Sequence, residues 1–493
     1  MMKQIKIDPV TRLEGHGKID IFLNDDGSVA NAYLQIPELR GFEKFCQGRP
    51  VEELPRIVTR LCGVCPEAHH LASAKACDSV YHVDIPPTAR KLRELLYNVF
   101  YAADHTVHFY LLAAPDFVCG PHAPVAERNI LGLIAKVGLE AGKRVIKHRA
   151  QCQEIIELLG GKKIHQVSSL PGGVSVGLKD EDRKRFLAYC KDFVEFGQFT
   201  IQVFNDIVLK NTEYLNLILS EPYIHQTYYM GLVDENNKVN FYDGKIRVVG
   251  PDGRELCKFE PKDYLQHIAE RVEPYSYLKY PYLKQVGWKG FVDGPESGVY
   301  RATPQSRLNA ADGLTTPLAH AEYERYFETL TGDRSGRKPV HHTLATHWAR
   351  IIELLHAAEK SLELISDPSL CDPNIRTVPT AKPTEGVGVV EAPRGTLYHH
   401  YVTDDKGIVQ QANLIVGTTN NSAAISMSIK KAAQGVIQPG QPVGEGLLNM
   451  VEMAFRAYDP CFGCATHSLP GQMPLEVNLR NPHGEIVQVL KRS

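Results

Sequence analysis

Residues 89–114 read ARKLRELLYNVFYAADHTVHFYLLAA, and their apolar side chains recur at three- and four-residue spacing. That period marks an amphipathic helix of about seven turns. Working outward, residues 127–159, 181–209 and 344–365 (LATHWARIIELLHAAEKSLELI) follow the same pattern. Four runs, each well above the mean helix length of roughly 11–12 residues, predict a central bundle. On the N-terminal side, residues 1–9 read as a strand, and 17–23 and 30–36 flank Asn24-Asp25-Asp26-Gly27-Ser28, a hairpin signal. Between the third and fourth helices lies an irregular insert, 220–305, rich in Pro, Tyr and Gly, with a hairpin expected over 239–249 around Asp243-Gly244. After residue 385 the pattern returns to strands, and a helix near 444–458 stops at Asp459-Pro460. The predicted fold is α+β: a β-rich start (1–60), a mainly helical middle (61–385) and a β-rich close (386–467).

The rest of the composition narrows the function classes. With 43% hydrophobic and 23% charged residues the chain is an ordinary globular protein. A net charge of −2 gives no whole-chain attraction to nucleic acid or to an anionic membrane. No stretch approaches the roughly 20 apolar residues of a membrane helix, so the chain is not expected to be membrane-embedded. The N-terminus has no basic and apolar regions of a signal peptide, which makes the cytoplasm the expected compartment.

Of the 11 cysteines, Cys46, Cys77, Cys119, Cys152, Cys190, Cys257 and Cys371 sit singly and read as small buried hydrophobes. The other four form two CxxC pairs, in Arg60-Leu61-Cys62-Gly63-Val64-Cys65-Pro66-Glu67-Ala68-His69 and Asp459-Pro460-Cys461-Phe462-Gly463-Cys464-Ala465-Thr466-His467. Each pair lets two sulfurs of one turn converge on a common atom. Four thiolates are a soft ligand set, suited to zinc, an iron–sulfur cluster or nickel. The pairs lie roughly 400 residues apart, whereas a zinc ribbon closes within a few tens. Spacing therefore leaves three readings open: structural zinc, a catalytic metal, or two separate redox pairs.

The flanks narrow the choice. A structural zinc site needs neither Arg60 before one pair nor Asp459 before the other, and it leaves His69 and His467 unexplained. The two segments resemble the RxCGxCxxxH and DPCxxCxxH signatures of the nickel–iron hydrogenase large subunit, matching at every fixed position. That resemblance implies the large-subunit fold and a Ni–Fe centre whose iron carries two cyanides and one carbon monoxide. It implies Cys62 and Cys461 as terminal nickel ligands, and Cys65 and Cys464 as bridges to the iron. Glu14, in Arg12-Leu13-Glu14-Gly15-His16, is similar to the family glutamate that accepts a proton from a terminal cysteine, here Cys461. Arg394, in Glu391-Ala392-Pro393-Arg394-Gly395, resembles the guanidinium over the open face of the metals, with Pro393 beside it and Asp104 and Asp459 as its acidic partners. His69 matches a histidine that hydrogen-bonds a bridging thiolate. Glu43, His467 and a backbone oxygen near Asn413 resemble a separate magnesium (or ferrous iron) site. The stretch Ile415-Val416-Gly417-Thr418-Thr419-Asn420-Asn421 lacks the Pro and Trp of many relatives, and Thr418 is its candidate contact to a cyanide. The Gly-Thr-Thr-Asn-Asn form resembles the cytoplasmic branch with soluble acceptors: viologen-reducing, NAD(P)-linked or electron-bifurcating.

The expected activity is reversible heterolytic H2 cleavage, with the proton passing to Cys461 and then Glu14. Outside the two pairs no cysteine cluster remains for iron–sulfur clusters. An iron–sulfur small subunit is therefore an expected partner, along with further flavin or iron–sulfur subunits. In the family a maturation chaperone and an endopeptidase act on the precursor, which implies a domain over 1–467 and a removable extension over 468–493. Two rivals stand beside this reading. One is a quinone-site subunit of the complex I type, which shares the fold but has lost the metal ligands. The other is a zinc-stabilised scaffold.

Overall fold

The computed structural model describes residues 4–7, 12–39, 41–440, 442–466, 475–480 and 486–492. It opens with an antiparallel sheet of β1 (Gln4–Ile7), β2 (Lys18–Leu23) and β3 (Val29–Gln35), in that order. Ile19 and Ile21 point into the core at 0% exposure, and the turn after them closes as read, with Ser28 N and Oγ donating to Asp26 Oδ1.

Helix α1 (Pro66–Val80) follows, then the long α2 (Pro87–Val107), whose first turn carries a proline where no amide partner is needed. At its end α2 widens into a π-helical turn, His108–Ala113. Such a turn displaces carbonyls from the helical ladder, and Leu112 O accepts from Arg12 Nη1 at 3.0 Å. The run expected over 127–159 is two helices, α3 (Ile130–Val137) and α4 (Leu139–Gly160). Gly138, with φ +90°, breaks it, and Asn129 caps α3 by accepting from the Leu131 and Gly132 amides. Helix α5 (Asp180–Phe204) continues the bundle.

The insert is where expectation and structure differ most. No hairpin forms around Asp243-Gly244. Instead β4 (Tyr228–Val233) pairs antiparallel with β5 (Lys245–Val249), which pairs in turn with β6 (Glu255–Phe259). All six residues of β4 are buried, so it lacks the alternation that announces a half-exposed strand. Asp243 serves as an anchor, its carboxylate taken by Lys75 and Arg90. Helices α6 (Pro304–Asn309), α7 (Pro317–Thr331) and α8 (Thr346–Ser366) come next. Helix α8 packs against both α2 and α5 and is the centre of the bundle.

The β-rich close begins with β7 (Glu385–Ala392), β8 (Gly395–Thr403) and β9 (Val409–Ile415), an antiparallel sheet in that order. Helix α1 lies against β7 and β8. Two helices follow, of which only the first interrupts the segment expected to be strands. One is α9 (Ser422–Val436), which the sequence pattern does not announce; the other is α10 (Glu445–Arg456), close to the run expected at 444–458. Five of the seven single cysteines are buried as expected, while Cys257 and Cys371 are half-exposed.

Candidate metal centre

Both CxxC pairs sit where a chain turns into a helix. Cys65 caps α1, and the amides of Val64 and Cys65 donate to Cys62 Sγ at 3.2 and 3.0 Å. Cys461 caps the short helix Phe462–Ala465, and its own amide donates to Thr418 Oγ1 at 3.0 Å. Just before it, Asp459 holds φ +53°, a left-handed conformation that Asp tolerates better than most residues.

The four sulfurs converge from opposite ends of the chain. Their Sγ atoms all lie within 4.8 Å of one another, a geometry that could hold a metal ion. Cys62 and Cys461 are 3.4 Å apart, Cys65 and Cys464 3.5 Å, and Cys461 and Cys464 2.7 Å. None is more than 5% exposed, although Val64 between the first two is 38% exposed, so the group lies directly beneath the surface. Burial pushes the Cys461 and Cys464 thiols well up, while hydrogen bonds from the other three sulfurs overcome burial and hold Cys62 down. Four buried sulfurs converging on one point are a soft donor set, which fits a thiophilic metal.

Glu14 reaches this group across the fold. It forms an isolated parallel bridge with Cys461, its carbonyl accepting from the Phe462 amide at 3.0 Å. Its Oε2 accepts from Cys461 Sγ at 2.9 Å and from the Gly463 amide at 2.8 Å. Two glycines allow the approach: a Cβ on Gly15 (φ +86°) would meet Gly463 N at 2.7 Å, and one on Gly463 would meet Glu14 Oε1 at 2.3 Å. Burial, with the negative Cys62 beside it, raises the Glu14 pKa, and its two hydrogen bonds oppose the rise.

Arg394 occupies a two-residue turn between β7 and β8, where Ala392 pairs with Gly395. It is 4% exposed, with Nη1 3.2 Å from Asp104 Oδ1 and Nη2 2.9 Å from Asp459 Oδ2. Burial lifts Asp104 to about 6, whereas Arg394 and His108 hold Asp459 below the carboxylate range against the same burial. Arg394, Thr418, His69, Cys65, Cys461 and Cys464 line one small cavity. His69 Nδ1 is 3.1 Å from His399 Nε2. Ala392, not Pro393, lines the cavity wall; the Pro393 carbonyl accepts from Arg307 instead.

Of the residues expected at a second metal site, Glu43 and Asn413 are described. Glu43 lines a neighbouring cavity with Leu61, Leu414, Cys464 and Ala465. The Asn413 side-chain amide donates to Tyr264 Oη at 2.9 Å, and its neighbour Leu414 lines the cavity beside Glu43. His467 lies outside the described residues. Sequence reasoning misses His108, His399, Arg307 and Asn421, of which only Asn421 sits in a segment that carries a signal.

Comparison with known proteins decides what this group belongs to. A model described as nickel-dependent hydrogenase matches residues 40–129 and 224–467, and a HoxL-like model matches residues 4–39. The chain belongs to the nickel-dependent hydrogenase family. This hydrogenase is 50% identical over 490 residues to an F420-non-reducing hydrogenase iron-sulfur subunit of Archaeoglobus profundus, covering 99% of this chain and 100% of that protein. It is 39% identical over 501 residues to the NAD-reducing hydrogenase HoxS subunit beta of Cupriavidus necator, covering 99% of each. A crystal structure of an NAD+-reducing [NiFe]-hydrogenase in the H2-reduced state matches it with a TM-score of 0.87 and 39% identity, over 94% of this chain and 99% of that one. The hydrogenase family implies a nickel–iron centre, with which the four-cysteine group is compatible, and the reversible cleavage of H2 as the reaction. The quinone-type and zinc-scaffold rivals give way to that assignment. Among the described residues no helix is long and apolar enough to cross a membrane.

Proposed function

We propose that Cys62, Cys65, Cys461 and Cys464 hold the nickel–iron centre, Cys62 and Cys461 as terminal ligands and Cys65 and Cys464 as bridges, and that Glu14 carries the proton away. When bound, such a centre supplies the Lewis acidity and redox capacity for heterolytic H2 cleavage. The observation that carries the reading is the 2.9 Å contact between Cys461 Sγ and Glu14 Oε2. A proton on that sulfur has a carboxylate already in hydrogen-bond reach, and burial raises the carboxylate toward the range where it can accept and release. The Gly463 amide keeps Oε2 facing the sulfur.

Arg394, fixed between Asp104 and Asp459, presents a permanent positive charge to the cavity over the sulfurs. Thr418 Oγ1 accepts from the Cys461 amide, which leaves its own hydroxyl hydrogen to donate into the cavity, as a cyanide on the iron would require. His69, oriented by His399, serves a bridging sulfur. Glu43, a backbone oxygen near Asn413 and His467 would form the magnesium or ferrous site. Both relatives are named as subunits of larger hydrogenases, which supports a multi-subunit assembly. In it this chain passes electrons to a small iron–sulfur protein and onward to a soluble acceptor in the cytoplasm. Residues 1–467 form the working domain. Residues 468–493, within which the backbone of Leu475–Arg480 pairs antiparallel with that of Ile486–Arg492, are the extension that a chaperone-assisted endopeptidase removes.

The test is Glu14→Gln in the purified complex. Gln keeps an acceptor for the Gly463 amide but cannot carry the proton. H2 oxidation is expected to fall by on the order of 10²–10⁴-fold with nickel content unchanged. Activity within about twofold of the parent would remove Glu14 from the proton path.

A further inference from the structure

The turn that presents Arg394 is held in an unusual way. Four consecutive backbone carbonyls, 391 to 394, each accept from a side chain that comes from elsewhere in the fold. Glu391 O accepts from Tyr97 Oη and from Tyr101 Oη, both on α2. Ala392 O accepts from Arg307 Nη1 at 3.1 Å, and Pro393 O from Arg307 Nη2 at 3.2 Å. Arg394 O accepts from Asn421 Nδ2 at 2.7 Å.

Arg307 itself is fixed from the far side. Its Nε and Nη2 donate to the two oxygens of Glu353 on α8, both at 2.6 Å, and Nη1 lies 3.3 Å from Glu391 Oε2. Arg307, Glu353 and Glu391 are all 0% exposed. Asn421 is equally buried and is anchored by accepting the Ala302 amide at 2.8 Å. A guanidinium locked by a bidentate carboxylate has little rotamer freedom left, so its three remaining hydrogens point in fixed directions. One faces Glu391, and the other two meet the carbonyls on either side of Pro393, the residue that leads into Arg394. A strand pairing alone would fix Ala392 and Gly395 but leave the two turn residues free to rock.

We propose that Arg307, with Asn421, is a positioning residue: it sets the backbone of the 392–394 turn and thereby aims the Arg394 guanidinium over the four sulfurs. Neither side chain needs to meet the metals or the substrate. This rests on the assignment of Arg394 to the metal centre, and the experiment separates the two claims.

In the assembled complex, Arg307→Lys keeps the charge and loses the fork. Amide hydrogen exchange of the peptide spanning 391–397 is expected to accelerate, with other bundle peptides unchanged. H2 oxidation is expected to drop by on the order of ten- to a hundredfold, as a displacement of about an ångström produces, while nickel per chain stays at the parental level. Placed on an Arg394→Lys background, Arg307→Lys should add nothing further, because it acts only through Arg394. If Arg307→Lys fails to assemble, Asn421→Ala carries the same expectations. Unaltered exchange of the turn, or a loss that adds fully to that of Arg394→Lys, overturns the proposal. Full activity of Arg394→Lys alone overturns the underlying assignment instead, and the exchange result still decides whether Arg307 holds the turn.

Discussion

Cys461 is the residue on which most of the site depends: its sulfur faces Glu14, its amide binds Thr418, and its neighbour Asp459 pairs with Arg394. The Thr418 contact makes a prediction at this scale. Thr418→Val keeps the shape but leaves the buried Cys461 amide with no acceptor, which costs roughly 1–3 kcal/mol. The melting temperature of the complex should fall for Val and hold for Thr418→Ser. An unchanged melting temperature for Val would mean that another group satisfies that amide. The cysteines, Glu14 and Arg394 were legible because each lies in a motif whose fixed positions are contiguous. Arg307 was not, since Thr-Pro-Gln-Ser-Arg-Leu-Asn at 303–309 carries no chemical signature and the turn it holds is far along the chain.

At the scale of elements, α1 decides whether the first cysteine pair can meet the second. Its backbone lies so close to β7 that a Cβ on Gly388 would fall 2.0 Å from Ala72 O and one on Gly386 2.4 Å from Val80 N. Gly388→Ala must push α1 off the sheet, with a penalty of about 1–3 kcal/mol or more for the overpacking. Because Cys65 caps α1, nickel per chain should fall along with the melting temperature. Parental nickel loading would show that the cysteine turn is held independently of the helix. The same helix shows where sequence reading runs out. Twelve of its 15 residues are buried, so it has no polar face and no three-to-four-residue period. The missed strand β4 is buried along its whole length in the same sense, as is α9 from Ser422 to Ile429. The amphipathic α5, with a wet face, was legible for the opposite reason.

Across the whole molecule, the buried histidines set the acid limit. Burial lowers His70, His105, His225 and His356 to about 4. His70 shows why: its Nε2 accepts the Ser169 amide at 2.9 Å and its Nδ1 donates to Pro55 O at 2.8 Å, an arrangement only the neutral ring can make. The unfolded chain binds these protons near pH 6.5 and the native chain only near 4. Stability is therefore complete above about pH 6.5 and is lost as the pH falls toward 4. Each ring contributes up to about 1.4 kcal/mol per pH unit within that window. Melting temperature should decline steeply from pH 6.5 to 5, and a flat profile there would contradict neutral buried rings. The central claim, that sulfurs from both ends of the chain share one nickel, is tested most directly by X-ray absorption at the nickel edge on the purified complex. The account predicts a nickel shell made of sulfur that loses one scatterer in Cys461→Ser and one in Cys62→Ser. A nickel-free protein carrying zinc at the four cysteines, or a nickel shell of nitrogen and oxygen untouched by either substitution, would contradict it.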